Sequence, residues 1–309
     1  MDKIKIGIPK ALLYYKYKDL WCNFFENLGC DVVISPNTNK ETIEIGKKYV
    51  LDEACISLKI FMGHVHYLID KCDYVFIPRI SCLKKGEKVC TNFMAIYDLC
   101  RNTFDKEFLH CNIDVTHGED EEYAFIGLGL ELGFSFRKSR DAYKKAKLHE
   151  KLMNERRYSK QKMLLASSEK TKILLVGHPY NLYDNYIGRE IIEFLENENI
   201  DVLYSDNYDP KYLEVDYKKI APKNYFTYNK ELLGSIAFYQ NFVDGIILVS
   251  AFPCGPDSLS NEMIIRKKKI PLLVLTIDEL DSNTGLITRL ESFIDILNER
   301  RNVKWVKKK

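Results

Sequence analysis

Short runs of β-branched and aliphatic residues alternate along this chain with stretches whose apolar positions recur every three or four residues. Residues 3–9 (KIKIGIP) predict a buried strand. Leu13, Tyr17, Leu20, Phe24 and Leu28 then fall on one face of an amphipathic helix, and Gly29 offers it a left-handed cap. Residues 31–36 (DVVISP) and 73–78 (DYVFIP) predict further strands, with a helix starting near Cys55 between them. The pattern restarts at Lys172: residues 172–176 (KILLV), 201–204, 244–250 (DGIILVS) and 271–276 (PLLVLT) read as strands, and 184–199 as a helix. Leu286, Leu290, Phe293 and Leu297 form one helical stripe near the end. Strands separated by helices predict α/β architecture with parallel sheets and right-handed crossovers.

Residues 137–170 break the alternation. They are rich in Lys, Glu, Arg and Ser, hold no Pro or Gly, and predict a long, largely exposed connecting helix. A chain of 309 residues exceeds the usual size of one core. The expected organisation is therefore an α/β lobe over residues 1–136, the connecting helix over 137–170, and a second α/β lobe over 171–309 with a C-terminal helix. Each half opens with a strand that runs into Gly-x-Pro (Gly7-Ile8-Pro9 and Gly177-His178-Pro179), a faint internal echo.

Charge narrows the function classes. The 46 basic residues nearly offset 44 acidic ones, leaving a net charge of +2 and no reason to expect a nucleic acid or an anionic membrane as partner. The basic runs 266–269 and 307–309 read as solvated helix ends. No apolar run is long enough to span a bilayer and the N-terminus lacks a signal-peptide layout, so a cytoplasmic location is expected. There, nine cysteines are expected to be free thiols, metal ligands or redox residues rather than disulfides.

Parallel sheets bind ligands beyond the carboxyl ends of their strands, and unusual residues gather at those ends. Cys55 lies at a predicted helix start. Cys254 directly follows strand 244–250 in Pro-Cys-Gly-Pro-Asp-Ser, where Gly255 allows a tight turn and Pro256 suits a first helical position. Cys90 lies in the Gly/Lys-rich loop 84–92. Helix N-termini stabilise thiolates and anionic groups. No P-loop and no complete dinucleotide glycine fingerprint is present. Spacing alone leaves two accounts open: dispersed iron–sulfur ligands, or small apolar residues and surface thiols.

Longer strings carry a resemblance. Ile6-Gly7-Ile8-Pro9-Lys10-Ala11-Leu12, Ser35-Pro36-Asn37-Thr38-Asn39-Lys40, Asp52-Glu53-Ala54-Cys55, Phe76-Ile77-Pro78-Arg79, Gly177-His178-Pro179-Tyr180-Asn181, Cys254-Gly255-Pro256-Asp257-Ser258 and Thr288-Arg289-Leu290-Glu291 occur in order over nearly the whole chain. In these the chain resembles the 2-hydroxyglutaryl-CoA dehydratase-like family, in its small branch of acyl-CoA dehydratase activase-related proteins. The resemblance implies two Rossmann-like lobes with a cleft between them that holds a 4Fe-4S cluster. Cys55, Cys90 and Cys254 match as metal ligands. Three thiolates leave one iron open, suited to low-potential electron transfer or reduction. The implied partners are an ATP-dependent activase of actin-like fold, and a second copy of the chain or a dehydratase-like subunit. Around Cys90 the family pattern Cys-Pro-Lys gives way to Cys90-Thr91-Asn92, and Cys82 stands close by as an alternative ligand. Two further readings are a non-catalytic cluster carrier or assembly subunit, and a metal-free small-molecule-binding module.

His178 and Asn181 either reach the cofactor as hydrogen-bond donors or brace their turn. Arg79 and Lys10, each following a proline at a strand end, either bind an anion, offset the cluster's negative charge with Arg79 as a cofactor-binding residue, or form ordinary ion pairs. Asp52 and Glu53 read as proton donors or caps, and Asp257 and Ser258 as caps of the helix after Cys254. Cys22, Cys30, Cys72, Cys100 and Cys111 read as packing residues. His64 and His66 are spaced i, i+2 and do not face one ligand.

Overall fold

A computed structural model describes residues 3–167, 170–267, 270–279 and 283–306. The basic run 307–309, the last two residues of the run 266–269 and residues 168–169 of the expected connector lie outside them. The chain divides into two units, Met1–Arg156 with Tyr225–Tyr228, and Arg157–Asn224 with Asn229–Lys309.

In the first unit, β1 (Lys5–Ile8) leads into α1 (Tyr14–Leu28), which Gly29 ends at φ 93°. The chain continues through β2 (Asp31–Ile34), α2 (Lys40–Gly46), α3 (Ile56–Leu68), β3 (Tyr74–Phe76) and β4 (Arg79–Cys82). It proceeds with α4 (Thr91–Thr103), β5 (Phe108–Leu109), β6 (Asn112–Asp114), α5 (Glu121–Glu131) and the long α6 (Phe136–Ser167). The main sheet is parallel, in the order β2-β1-β3-β5, with Lys5 opposite Asp31 and Ile6 opposite Tyr74. β4 and β6 form a second, two-stranded parallel sheet. Aromatic edges fill the core: Phe76 stands edge-on to Trp21 at 5.3 Å and to Phe25 at 5.1 Å, and Phe24 stands edge-on to Phe125 at 4.9 Å. Such pairs add to the burial that drives collapse.

Two glycines set the position of α3. A Cβ on Gly46 would fall 1.8 Å from the Lys59 carbonyl oxygen, and one on Gly63 would fall 2.0 Å from that of Thr42. The two helices therefore meet backbone to backbone. An Asn39–Thr42 capping box fixes the start of α2.

In the second unit, β7 (Lys172–Val176), α7 (Pro179–Leu182), α8 (Arg189–Asn197), β8 (Asp201–Tyr204) and α9 (Leu213–Asp216) come first. They are followed by α10 (Thr227–Tyr239), β9 (Gly245–Ala251), α11 (Gly255–Lys267), β10 (Leu272–Ile277) and α12 (Asn283–Val306). Its sheet is parallel, in the order β10-β9-β7-β8. Every residue of β9 is buried, as expected of a strand covered on both faces. Gly245 lets Phe293 and Leu297 of α12 approach the strand closely. The α/β class with parallel sheets is thus present in both units.

The predicted helix over 184–199 begins later, at Arg189. The Asp184 carboxylate accepts hydrogen bonds from the Tyr186 N–H at 2.8 Å and the Ile187 N–H at 3.3 Å, which commits that segment to a turn. The loop after Cys82 ends earlier than expected, since Thr91 already opens α4. Among the described residues, no helix is long and apolar enough to cross a membrane.

Candidate functional site

Within the first unit, Cys55 and Cys90 occupy the same kind of position. Cys55 is the N-cap of α3 at φ −62°, ψ 148°, and Cys90 is the N-cap of α4 at φ −57°, ψ 140°. The Cys55 carbonyl accepts the Leu58 N–H at 2.9 Å and the Lys59 N–H at 3.2 Å, and the Cys90 carbonyl accepts the Phe93 N–H at 3.0 Å. Neither side chain caps its own helix, and both thiols are half-buried. Asn92, in the first turn of α4, donates from Nδ2 to the Cys55 sulfur at 3.7 Å. That contact draws the start of one thiol-bearing helix to the other.

The loop leading to Cys90 is pinned by the short segment 225–228. The Lys88 N–H donates to the Tyr225 carbonyl at 2.8 Å, and the Thr227 N–H donates to the Lys88 carbonyl at 2.9 Å. The Thr227 hydroxyl donates to the buried Glu87 carboxylate at 2.8 Å. The Tyr228 ring meets Phe93 edge-on at 5.8 Å.

Cys82 is placed differently from the two N-cap cysteines. It is buried in β4, donates to the Lys84 carbonyl at 3.0 Å and accepts from the Thr116 hydroxyl at 3.3 Å. Arg79 forms an ion pair with Asp98 at 2.6 Å and lies over the Tyr97 ring at 5.4 Å, with Tyr97 in turn stacked on His110 at 3.8 Å. Lys10 donates to the Asn37 side chain. Asp52 and Glu53 are exposed, and the Asp52 carbonyl accepts from the buried Lys59 ammonium at 2.7 Å.

Cys254, His178 and Asn181 lie in the second unit. In its strand order the chain direction of travel reverses between β7 and β9, the place where sheets of this type take ligands. His178 follows β7 and is the N-cap of α7, while Cys254 follows β9 and immediately precedes α11. Asp257, in the first turn of α11, joins them. Its carboxylate accepts from His178 Nε2 at 2.8 Å, from Asn229 Nδ2 at 2.9 Å and from the Cys254 thiol. Asn229 also donates to the Ser260 hydroxyl at 3.2 Å. His178, Asp257, Asn229 and Ser260 are all buried, and the Tyr180 ring stacks on the imidazole at 5.1 Å. Burial works to raise the Asp257 pKa, but the His178 charge and the three donated hydrogen bonds outweigh it, and the net shift is downward. Asn181 is fully buried, and its N–H closes the first turn of α7 onto the His178 carbonyl at 2.8 Å.

Asp257 was expected to cap α11. It is instead the hub of a buried network. Neither that role nor those of Asn92 and the segment 225–228 could be read from the sequence, because their partners lie far away along the chain.

Burial favours the neutral thiol at the remaining cysteines. Burial pushes the Cys22 thiol up to about 12, with Glu26 and Asp19 adding to it. Burial also raises Cys30, Cys72, Cys100 and Cys111. Among the described residues, no group of three or more His, Cys, Asp or Glu side chains converges on a point that would hold a single metal ion. A cubane makes a different demand, with thiolates distributed around a cluster rather than converging on one atom. Half-buried thiols at helix N-termini, one of them already accepting an amide N–H, fit that donor chemistry.

A family model described as the CoA enzyme activase uncharacterised domain matches residues 5–208. No curated protein matches the chain. Solved structures similar to it include ZnuA, at 11% identity and a TM-score of 0.26 over 96% of this chain and 99% of that one. They also include the AdcAII protein of Streptococcus pneumoniae, at 11% identity and a TM-score of 0.28 over 96% and 98%. A third is the laminin-binding protein Lbp of Streptococcus pyogenes, at 9% identity and a TM-score of 0.25 over 96% and 99%. Scores this low establish no shared fold.

Proposed function

We propose, since the chain belongs to the CoA enzyme activase uncharacterised domain family, that it is a 4Fe-4S protein of the 2-hydroxyacyl-CoA dehydratase-like kind. Its role would be low-potential electron transfer or reduction. The observation that supports this best is the pairing of two cysteine-capped helix starts, Cys55 on α3 and Cys90 on α4, through the Asn92 amide. These two cysteines would be ligands, with Cys254 as the third. When bound, the cluster supplies one-electron chemistry at an iron that no protein thiolate holds.

The residues around each sulfur have separable tasks. The positive ends of the α3 and α4 helix dipoles favour negative charge on Cys55 and Cys90. Asn92 Nδ2 orients the Cys55 sulfur. The Asp257 carboxylate accepts a hydrogen bond from the Cys254 thiol, and His178 Nε2 and Asn229 Nδ2 hold that carboxylate in place. His178 thus acts through Asp257. Arg79 would offset part of the cluster's negative charge, and its ion pair with Asp98 anchors β4 to α4. The partner in this reading is an ATP-hydrolysing activase of actin-like fold; the family's description supports only the general link to activation of a CoA enzyme.

Anaerobic purification and reconstitution should give brown protein with about four irons and four sulfides per chain. Cys55→Ser, Cys90→Ser and Cys254→Ser should each lower iron retention, whereas Cys82→Ser should leave it unchanged. Colourless, iron-free wild-type protein would end this reading, and iron loss on Cys82→Ser with none on Cys90→Ser would reassign the ligand.

A further inference from the structure

In the first unit, the short connection 132–135 turns α6 back along α5. The Glu121 carboxylate at the start of α5 accepts from the Tyr143 hydroxyl at 2.8 Å and pairs with the Lys147 ammonium at 2.6 Å. Lys147 pairs in turn with the buried Glu150 at 2.8 Å. Phe125 of α5 and Tyr143 of α6 turn to the same core, their rings 5.7 Å apart. The sides of the two helices opposite these contacts face solvent.

Those outer sides carry large apolar side chains. Tyr123 is 69% exposed and Leu130 48%, and their spacing puts both on one face of α5. Leu148 is 59% exposed and Leu152 46%, one helical turn apart on α6. A lone exposed leucine is ordinary, but two such pairs on one hairpin mark a contact surface. The charges beside the two pairs are opposite in sign. Residues 119–131 hold five acidic residues and no basic one, whereas residues 137–156 hold eight basic residues against three acidic ones. The near-neutral charge of the whole chain hides this division. The hairpin matches part of it internally, through Lys147. Among the described residues, Glu122, Glu131, Lys144 and Lys145 form no ion pair.

We propose that this hairpin is the contact surface of a homodimer, in which the outer face of α5 in one copy lies on the outer face of α6 in the other, and the reverse. A two-fold axis repeats every contact, so a surface that carries both an acidic and a basic apolar face complements itself. A partner acidic throughout would match α6 and repel α5, and a basic one would do the opposite. A second copy matches both. Tyr123 and Leu130 of one copy then cover Leu148 and Leu152 of the other, and removing those side chains from water supplies the affinity. Glu122 and Glu131 meet Lys144 and Lys145 at the rim, where charge fixes which face meets which and speeds encounter. The contact needs no cluster, and it holds equally for iron-free protein.

Analytical ultracentrifugation of the full-length, iron-free chain tests this. Wild type should sediment as a dimer at low ionic strength. Lys144→Glu with Lys145→Glu should weaken that dimer by about tenfold or more, and Glu122→Lys with Glu131→Lys should do the same, since each variant brings like charges together. Mixing the two variants should restore a dimer with one chain of each, because every reversed face then meets its opposite. Monomeric wild type overturns the proposal, as does open-ended assembly beyond the dimer. A dimer that neither variant weakens, or that mixing fails to restore, overturns it as well. Circular dichroism reports whether each variant is folded. Should a charge reversal fail to fold, Leu148→Ser at its exposed position decides, and a dimer as tight as wild type in that variant overturns the proposal. Iron analysis on the same preparation reports the cluster reading separately.

Discussion

At the scale of single residues, His64 gives the sharpest pH dependence. It is buried on α3, its Nε2 pairs with the Thr38 hydroxyl at 2.9 Å, and burial with the nearby Lys10 charge pushes its pKa down to about 4. The unfolded chain takes up this proton near pH 6.5, whereas the folded chain resists until about pH 4. Stability is therefore unaffected above pH 6.5, falls as the pH drops toward 4, and changes no further from this group below that. The full loss is on the order of 3 kcal/mol. Urea unfolding at a series of pH values should show it, and His64→Gln should flatten that part of the profile. An unaltered slope in the variant would assign the acid sensitivity to other groups. The i, i+2 spacing separated His64 from His66, which bonds Tyr49 through Nδ1 at 2.9 Å. The sequence also placed a helix start at or next to Cys55, which is the N-cap of α3. What it did not reveal was the hub role of Asp257, since a first-turn Asp that caps its helix and one that holds a distant His look alike in a string of letters.

At the scale of elements, the contact between α2 and α3 carries the next prediction. Gly63→Ala would place a methyl group 2.0 Å from the Thr42 carbonyl oxygen, and neither backbone can yield without the helices separating. The expected cost is about 3 kcal/mol or more, at or beyond the top of the usual range for overpacking. Gly127→Ala on α5 meets nothing within 4 Å and should be neutral or stabilising by up to about 1 kcal/mol. Chemical denaturation of the two variants side by side tests the contrast, and equal stabilities would refute close helix contact. Because α3 begins at Cys55, the Gly63 variant should also shift that thiol relative to Asn92. Long, strongly periodic elements were legible: α1 with its Gly29 cap, β7 and β8 to the residue, and the α12 stripe. The short strands β5 and β6 were not, since two or three residues hold no period that could separate a strand from a loop. They form through pairing with β3 and β4, whose partners no local window contains.

At the scale of the whole molecule, the two units do not coincide with two contiguous halves of the sequence. The sequence reading set its divisions at 136 and 170 because the polar stretch between them looked like a spacer. The structure places a division after Arg156, inside the continuous helix α6, and assigns Tyr225–Tyr228 to the first unit. Composition signalled the long helix but carried no trace of the returning segment, whose bonds to Glu87 and Lys88 span well over a hundred positions. A fragment ending at residue 156 should therefore melt at a lower temperature than the same fragment carrying residues 225–228 on a flexible linker, as read by circular dichroism. Indistinguishable melting would mean that those bonds add nothing to the unit. The same returning segment sets an order of events during synthesis. A nascent chain emerging from the ribosome has all of the first sheet long before it has Thr227, so the loop that delivers Cys90 stays unanchored until translation has passed residue 228. Any maturation step that requires a settled Cys90 must then follow translation of most of the polypeptide.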